Sequence, residues 1–277
     1  CCGENKVAIR KKLMITGCSF SAPSTDPALV GTSWGEKLAA KLDWDLVHLA
    51  RQGMSNGGIR VMIDEILRQK PDFAIVAPTF HDRMEIPGSA APYVAPENEN
   101  KGWNSDLQQH LQTDHGTGYD PNAGVDNINW GNNNYRMISE TIFSLAENYD
   151  HHYRSQKLDK ATANAVKQYV NHMYDSNWKL QQDRYIISDG IFRLHHAGIP
   201  FLLVACNIWT SDMVRDHFPW NIPDRCLTLD FEDTPAYATN EYPFSGEDPG
   251  YHGSEQSQEY LADRYLNIIR DRFKIHD

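Results

Sequence analysis

The chain has no excess of positive charge. Its 277 residues carry 26 Lys and Arg against 37 Asp and Glu, a net charge of -11. That excludes the basic footprint a nucleic-acid backbone requires, and an acidic surface serves solubility. Cysteine is sparse. Cys1, Cys2, Cys18, Cys206 and Cys226 have neither the even number nor the spacing of a disulfide framework, and no Cys-x-x-Cys occurs. They read as reduced thiols, which favours a cytosolic setting. No apolar run reaches the length of a membrane span, and no signal-peptide pattern is visible. The expectation is a cytoplasmic protein with no membrane span and no nucleic-acid partner. His-Glu-x-x-His is missing, and the glycines from Gly53 to Gly58 fit neither a P-loop nor a dinucleotide fingerprint. The pairs His151-His152 and His195-His196 are adjacent, and neighbours on a helix diverge by about 100°. Neither pair suits one metal, so no metal, nucleotide or other cofactor is expected.

What is present is alternation of strand and helix. Leu13-Met14-Ile15-Thr16 is a short apolar run that reads as a buried strand. Ser33-Trp34-Gly35-Glu36 has the capping-box pattern of a helix start. Leu46–Leu49 is a second strand. Ile59, Met62, Ile63, Ile66 and Leu67 mark one face of a helix that Pro71 ends. Phe73–Ala77 is a third strand, apolar throughout, as parallel strands covered on both faces are. The rhythm then breaks. From Pro87 to about Tyr135 the chain is rich in Gly, Pro, Asn and Asp, and loops of that length are functional lids or disordered. Helix is predicted over 135–149 and again over 161–196, the second stretch as one helix or as two joined near Ser176. A fourth strand follows at 200–206, a fifth at 226–231, a loop from Glu232 to Gly253, and a last helix carrying Tyr260, Leu261, Tyr265, Ile268 and Ile269. No internal repeat or linker divides the chain. The expected architecture is a single α/β domain. It would be a flavodoxin-like three-layer sandwich on a parallel sheet of about five strands. Residues 87–196 would be a large insertion, loop plus helical subdomain, between strands three and four.

The polar residues just after each strand are the candidates for chemistry. Ser19 follows the first strand on the turn Gly17-Cys18-Ser19. Gly53, Ser55 and Asn56 follow the second. Thr79, His81, Asp82 and Arg83 follow the third. Asn207 follows the fourth, and Asp248 and His252 lie beyond the fifth. In a parallel sheet these loops emerge at one edge. A hydroxyl, a His, a carboxylate and amide or backbone donors are the complement that acyl transfer from an ester requires. Each also has a plainer role. Asn56 could be only a helix N-cap, Asp248 a turn former before Pro249, with Glu247 an alternative orienting carboxylate. His252 could be a surface histidine, and His81-Asp82-Arg83 a salt-bridged strand end.

Gly17-Cys18-Ser19-Phe20-Ser21 resembles the first block of the SGNH, or GDSL-type, hydrolase superfamily, Gly-Asp-Ser-x-Ser, with Cys18 in place of Asp. Ala50-Arg51-Gln52-Gly53-Met54-Ser55-Asn56 resembles the second block, Asn-x-Gly-x-x-Gly. Ala50 stands there for the first Asn and Asn56 for the last Gly. Asp248 and His252 resemble the final Asp-x-x-His, one residue further apart. The third block, Gly-x-Asn-Asp, has no counterpart; Pro78–Arg83 occupies its place. A phage and bacterial subgroup with a Gly-Cys-Ser-Phe first block looks most similar. The resemblance covers roughly residues 12–86 and 200–275. It implies Ser19 as nucleophile, His252 as general base, Asp248 as its orienting acid, and the backbone N–H groups of Ser19 and Asn56 as oxyanion donors. Thr79, the Asn56 side chain or Asn207 would have to replace the missing third-block Asn. The implied function is a serine esterase on a small-molecule or carbohydrate ester such as an O-acetyl sugar. The departures at Cys18, at the third block and in the Asp-His spacing favour the alternative, a catalytically silent SGNH-like domain used for binding or as a particle component. A metal-dependent phosphoesterase using the strand-end His and Asp residues is the remote third reading.

Overall fold

The computed structural model describes residues 10–23, 31–50, 54–81, 83–87, 137–141, 160–206, 210, 222–228, 230–243 and 253–275. Its strands, in chain order, are β1 (Lys12–Gly17), β2 (Asp45–His48), β3 (Phe73–Ala77), β4 (Arg83–Pro87), β5 (Met137–Thr141), β6 (Phe201–Val204) and β7 (Leu227–Thr228). Its α-helices are α1 (Trp34–Leu42), α2 (Asn56–Gln69), α3 (Lys160–His172), α4 (Ser176–His196), α5 (Pro235–Glu241) and α6 (Glu255–Phe273). Five strands form one sheet in the order β2-β1-β3-β6-β7, every neighbouring pair parallel. This is the flavodoxin-like order once the β4–β5 ribbon is set aside, and the α/β sandwich is as expected.

Alternation along the strands divides the core in two. Met14, Ala74, Val76, Phe201 and Leu203 face α2 and α4, where Ile59, Met62, Ile63, Ile66, Ile187, Ile191 and Leu194 meet them. Leu13, Ile15, Phe73, Ile75, Leu202 and Val204 face α1 and α6, against Trp34, Leu38, Leu261, Tyr265 and Ile269. A fully buried Leu, Ile or Phe contributes about 1.5–3 kcal/mol of hydrophobic stabilisation. The strands are apolar on both sides because both sides are covered. Gly190 lets α4 approach α2, since a Cβ there would lie 2.6 Å from Ile63 Cδ1. On the other face Lys37 and Lys41 of α1 pair with Glu259 and Asp263 of α6. These partly exposed pairs add little beyond orientation.

The capping box forms as predicted: Ser33 Oγ accepts from the Glu36 N–H and Glu36 accepts from the Ser33 N–H. The stretch 161–196 is two helices, parted before Ser176, and Gly198 closes the second with φ +70. α4 is the crossover helix between β3 and β6 and packs one face, Ile187, Ile191 and Leu194, into the core. Three expectations need correction. Met137–Thr141, placed in a helix by periodicity, is strand β5, antiparallel to β4 from Arg83↔Thr141 to Pro87↔Met137. Ile138 and Thr141 are β-branched, and the neighbouring β4 offers the pairing that a single-segment reading cannot see. The rest of 135–149 lies outside the described residues. Pro235–Glu241, expected as loop, is α5, begun by Thr234 capping the Tyr237 N–H with Pro235 at the first position. Ser55, not Asn56, caps α2, accepting from the Gly58 N–H at 3.2 Å.

Candidate functional site

β1 lies inside the sheet, with β2 on one side and β3 on the other. Its exit is tightly built. A Cβ on Gly17 would sit 2.9 Å from Ser21 Cβ and 3.0 Å from Ala77 Cβ, so only glycine fits. The chain then makes one helical turn, with the Ser21 and Ala22 N–H groups both donating to the Cys18 carbonyl at 2.9 Å. Ser19 stands at the head of this turn and is 3 % exposed.

Cys18 sits in a pocket of donors. The Cys206 thiol donates to its sulfur, Arg83 adds positive charge, and the Phe20 N–H donates from the turn itself. Together these outweigh burial and pull the Cys18 thiol well below its ordinary range. The Thr79 hydroxyl pulls the same way, yet it makes no hydrogen bond of normal geometry. Cys206 shows the converse. Its bond to Cys18, burial and the charge on Cys18 push it well up, against Arg83. The contact between the two sulfurs thus draws Cys18 down and pushes Cys206 up. Cys18, Cys206 and Cys226 are free thiols.

Beside this turn the exits of β2 and β3 are clamped together. Asn56 Oδ1 accepts from the Thr79 N–H at 2.8 Å, and Asn56 Nδ2 donates to the Thr79 carbonyl at 3.0 Å. The same amide donates to Asp183 Oδ2 of α4 at 2.8 Å. Lys179, one helical turn earlier, donates to the other Asp183 oxygen. All four residues are buried. The Asn56 side-chain amide is thus committed to holding the loops, and it has no N–H left over for an oxyanion. Thr79 is fixed through its backbone. Arg83 begins β4 and is buried; its Nη1 donates to the Met54 carbonyl at 2.9 Å. His81 turns away, its Nε2 3.0 Å from Ser176 Oγ at the start of α4.

Ser19, Ser55, Asn56, Thr79 and Arg83 therefore gather at the carboxyl edge of the sheet, and His81 points from that edge to α4. Gly53, Asp82, Asn207, Asp248 and His252 lie outside the described residues. Sequence reasoning missed Lys179 and Asp183, and it read Cys206 only as a reduced thiol. A signal did exist for the first two. They continue, at a spacing of four, the stripe that runs on through Ile187 and Ile191, and a charged pair extending an apolar stripe must be held in the interior. No family model, curated protein or solved structure matches the chain. Among the described residues no group of three His, Cys, Asp or Glu side chains converges as a metal site. No described helix is long and apolar enough to cross a membrane. A cavity of about 340 Å³ opens at the opposite, amino edge, between Phe201, Pro223, Cys226 and Phe273. It is remote from the residues above.

Proposed function

We propose that the protein is a serine hydrolase of the SGNH kind, an esterase acting on a small acyl ester such as an O-acetyl group of a carbohydrate. The observation that supports this most is the setting of Ser19. It heads a helical turn at the exit of an interior parallel strand, with the clamped exits of β2 and β3 on either side. That is where an α/β sheet presents its chemistry. In this reading Ser19 Oγ attacks the ester carbonyl while His252 takes its proton. The tetrahedral oxyanion is held by the Ser19 and Asn56 backbone N–H groups. His252 returns the proton to the leaving alcohol, leaving an acyl-serine. Water, deprotonated by the same His, then releases the acid. Asp248 orients the imidazole.

Labelling with a fluorophosphonate probe tests the assignment, alongside turnover of a panel of short acyl esters and the Ser19→Ala and His252→Ala variants. The expected result is stoichiometric labelling that both variants abolish. Labelling that persists in Ser19→Ala refutes the site. Neither labelling nor turnover by the wild type refutes the esterase. One observation favours a second reading, a catalytically silent domain that binds without cleaving. The Asn56 side-chain amide is spent on Thr79 and Asp183, and the resembled third block that would supply an amide is missing. Removing an oxyanion donor costs on the order of 10²–10³ in rate.

A further inference from the structure

The outer face of α4 is aromatic where a surface helix is ordinarily polar. Lys179, Asp183, Ile187, Ile191 and Leu194 turn inward. Opposite them, at spacings of four and three, lie Trp178, Gln182, Tyr185, Asp189, Phe192 and His196, all exposed. Trp178 is 58 % exposed, Tyr185 63 % and Phe192 37 %. Each is one heptad from the next, so the three stand in line about 10 Å apart along the helix. With Met173, just before α4, they are all the large hydrophobic side chains exposed among the described residues. Such side chains scattered singly need no explanation, but a contiguous row does. The core does not call for them, because the inward face of α4 already packs on α2 and the sheet.

We propose that this face is the interface of a symmetric dimer, in which α4 packs antiparallel against α4 of a second copy. The face is self-complementary. In a two-fold arrangement centred beside Tyr185, each Trp178 falls between Phe192 and His196 of the other copy, ridge into groove. Those two rings are already stacked, with centroids 6.0 Å apart. The charge permits the contact. The chain carries a net -11, so a second copy is repelled on the whole. Of the six outward residues only Asp189 is acidic, and Arg60 Nη2 holds it at 2.6 Å. The area also suffices. An aromatic side chain buries about 150–250 Å², so the exposed parts of the three amount to roughly 300 Å² per copy and about 600 Å² across the pair. That is the apolar share of an interface of about 1,000 Å², the lower end of what specific association needs. The dimer is therefore weak and concentration-dependent. It does not rest on the esterase reading.

The test is sedimentation velocity of the full chain over about 1–100 μM, the range in which a small interface dissociates. A monomer should give way to a dimer as concentration rises. Tyr185→Arg and Trp178→Ala lie at exposed positions and should leave the melting temperature of the dilute protein unchanged. Each should weaken association roughly tenfold or more, as loss of a central aromatic contact does. Tyr185→Cys, beside the two-fold axis, should form a disulfide-linked dimer with oxidised glutathione, to an extent that neither the wild type nor Asn177→Cys reaches. A chain that stays monomeric at the highest concentration overturns the proposal, as does a dimer that Tyr185→Arg leaves intact. Soluble oligosaccharides that quench the fluorescence of Trp178 in the monomer, a signal assigned by its loss in Trp178→Phe, would give the row to sugar stacking and overturn it too.

Discussion

Replacing Asn56 tests the central clamp directly. Asn56→Ala removes three buried hydrogen bonds, two to the Thr79 backbone and one to Asp183. It strands a buried N–H and a buried carbonyl, while Asp183 keeps Lys179. Each unsatisfied buried group costs about 1–3 kcal/mol. With local relaxation the total should be about 3–5 kcal/mol, large against a typical domain stability. Asn56→Asp separates the electrostatics from the packing. It keeps the acceptor for the Thr79 N–H but sets a carboxylate against Asp183, where the amide now donates at 2.8 Å. Two charges at that distance repel by about 6 kcal/mol at an effective dielectric of about 20. The pair escapes this by sharing a proton, so the folded pKa of the pair rises above the unfolded value. Stability linked to that proton is present below the unfolded carboxylate pKa and is lost as pH rises. Urea unfolding between pH 4 and 8 reads both effects. Asn56→Ala should lower the midpoint by a pH-independent amount with an unchanged slope. Asn56→Asp should be the worse variant at pH 8 and should recover towards pH 4. A cost below about 1 kcal/mol for Asn56→Ala, or parallel pH curves for the two variants, would refute the clamp.

Two further outcomes follow from single contacts. Gly17→Ala places a methyl group against both Ser21 and Ala77. It should cost about 1–3 kcal/mol by overpacking and also lower probe labelling of Ser19; calorimetry and labelling stoichiometry together check it. Tyr265 is fully buried, its hydroxyl donating to the Asp233 carbonyl at 2.8 Å. Burial, with Asp233 next, pushes its phenol well above the ordinary range. Its proton is therefore held more tightly folded than unfolded. The stability it brings is complete below the unfolded pKa of about 10 and is lost as pH rises above it, by at most about 1.4 kcal/mol per pH unit. Tyr265→Phe should be less stable than wild type by about 1 kcal/mol at pH 8, with the gap narrowing beyond pH 10. Denaturant curves that keep a constant gap would refute this.

Strands whose two faces are both covered were legible as unbroken apolar runs, and that alone placed β1, β3 and β6. The helices showed through i, i+4 stripes and caps, Ser33 and Glu36 being the clearest. β5 was not legible. Its five residues become a strand only through β4, which lies far away along the chain, and pairing at that separation leaves no local period. At the site the glycine turn and its serine were readable because backbone geometry limits the residue types there. The Asn56–Thr79–Asp183 network was not. Its members meet from three separate segments, and a hydrogen bond to a backbone group leaves no mark on the partner's residue type. The setting of Cys18 was not legible either: Cys206 and Arg83, which act on its thiol, come from distant segments.

The β4–β5 ribbon carries a consequence for how the chain tolerates change. Its register brings Pro87 beside Met137, so the two ends that flank the intervening sequence are held side by side. Lengthening a flexible connection between ends held together is thermodynamically mild, since each doubling costs only about 0.6 kcal/mol in closure entropy. The ribbon is therefore a natural splice point, where sequence can be inserted, exchanged or cut back to a two-residue turn without disturbing the order of the sheet. Arg83 stands at the foot of that ribbon, on the domain side of the splice.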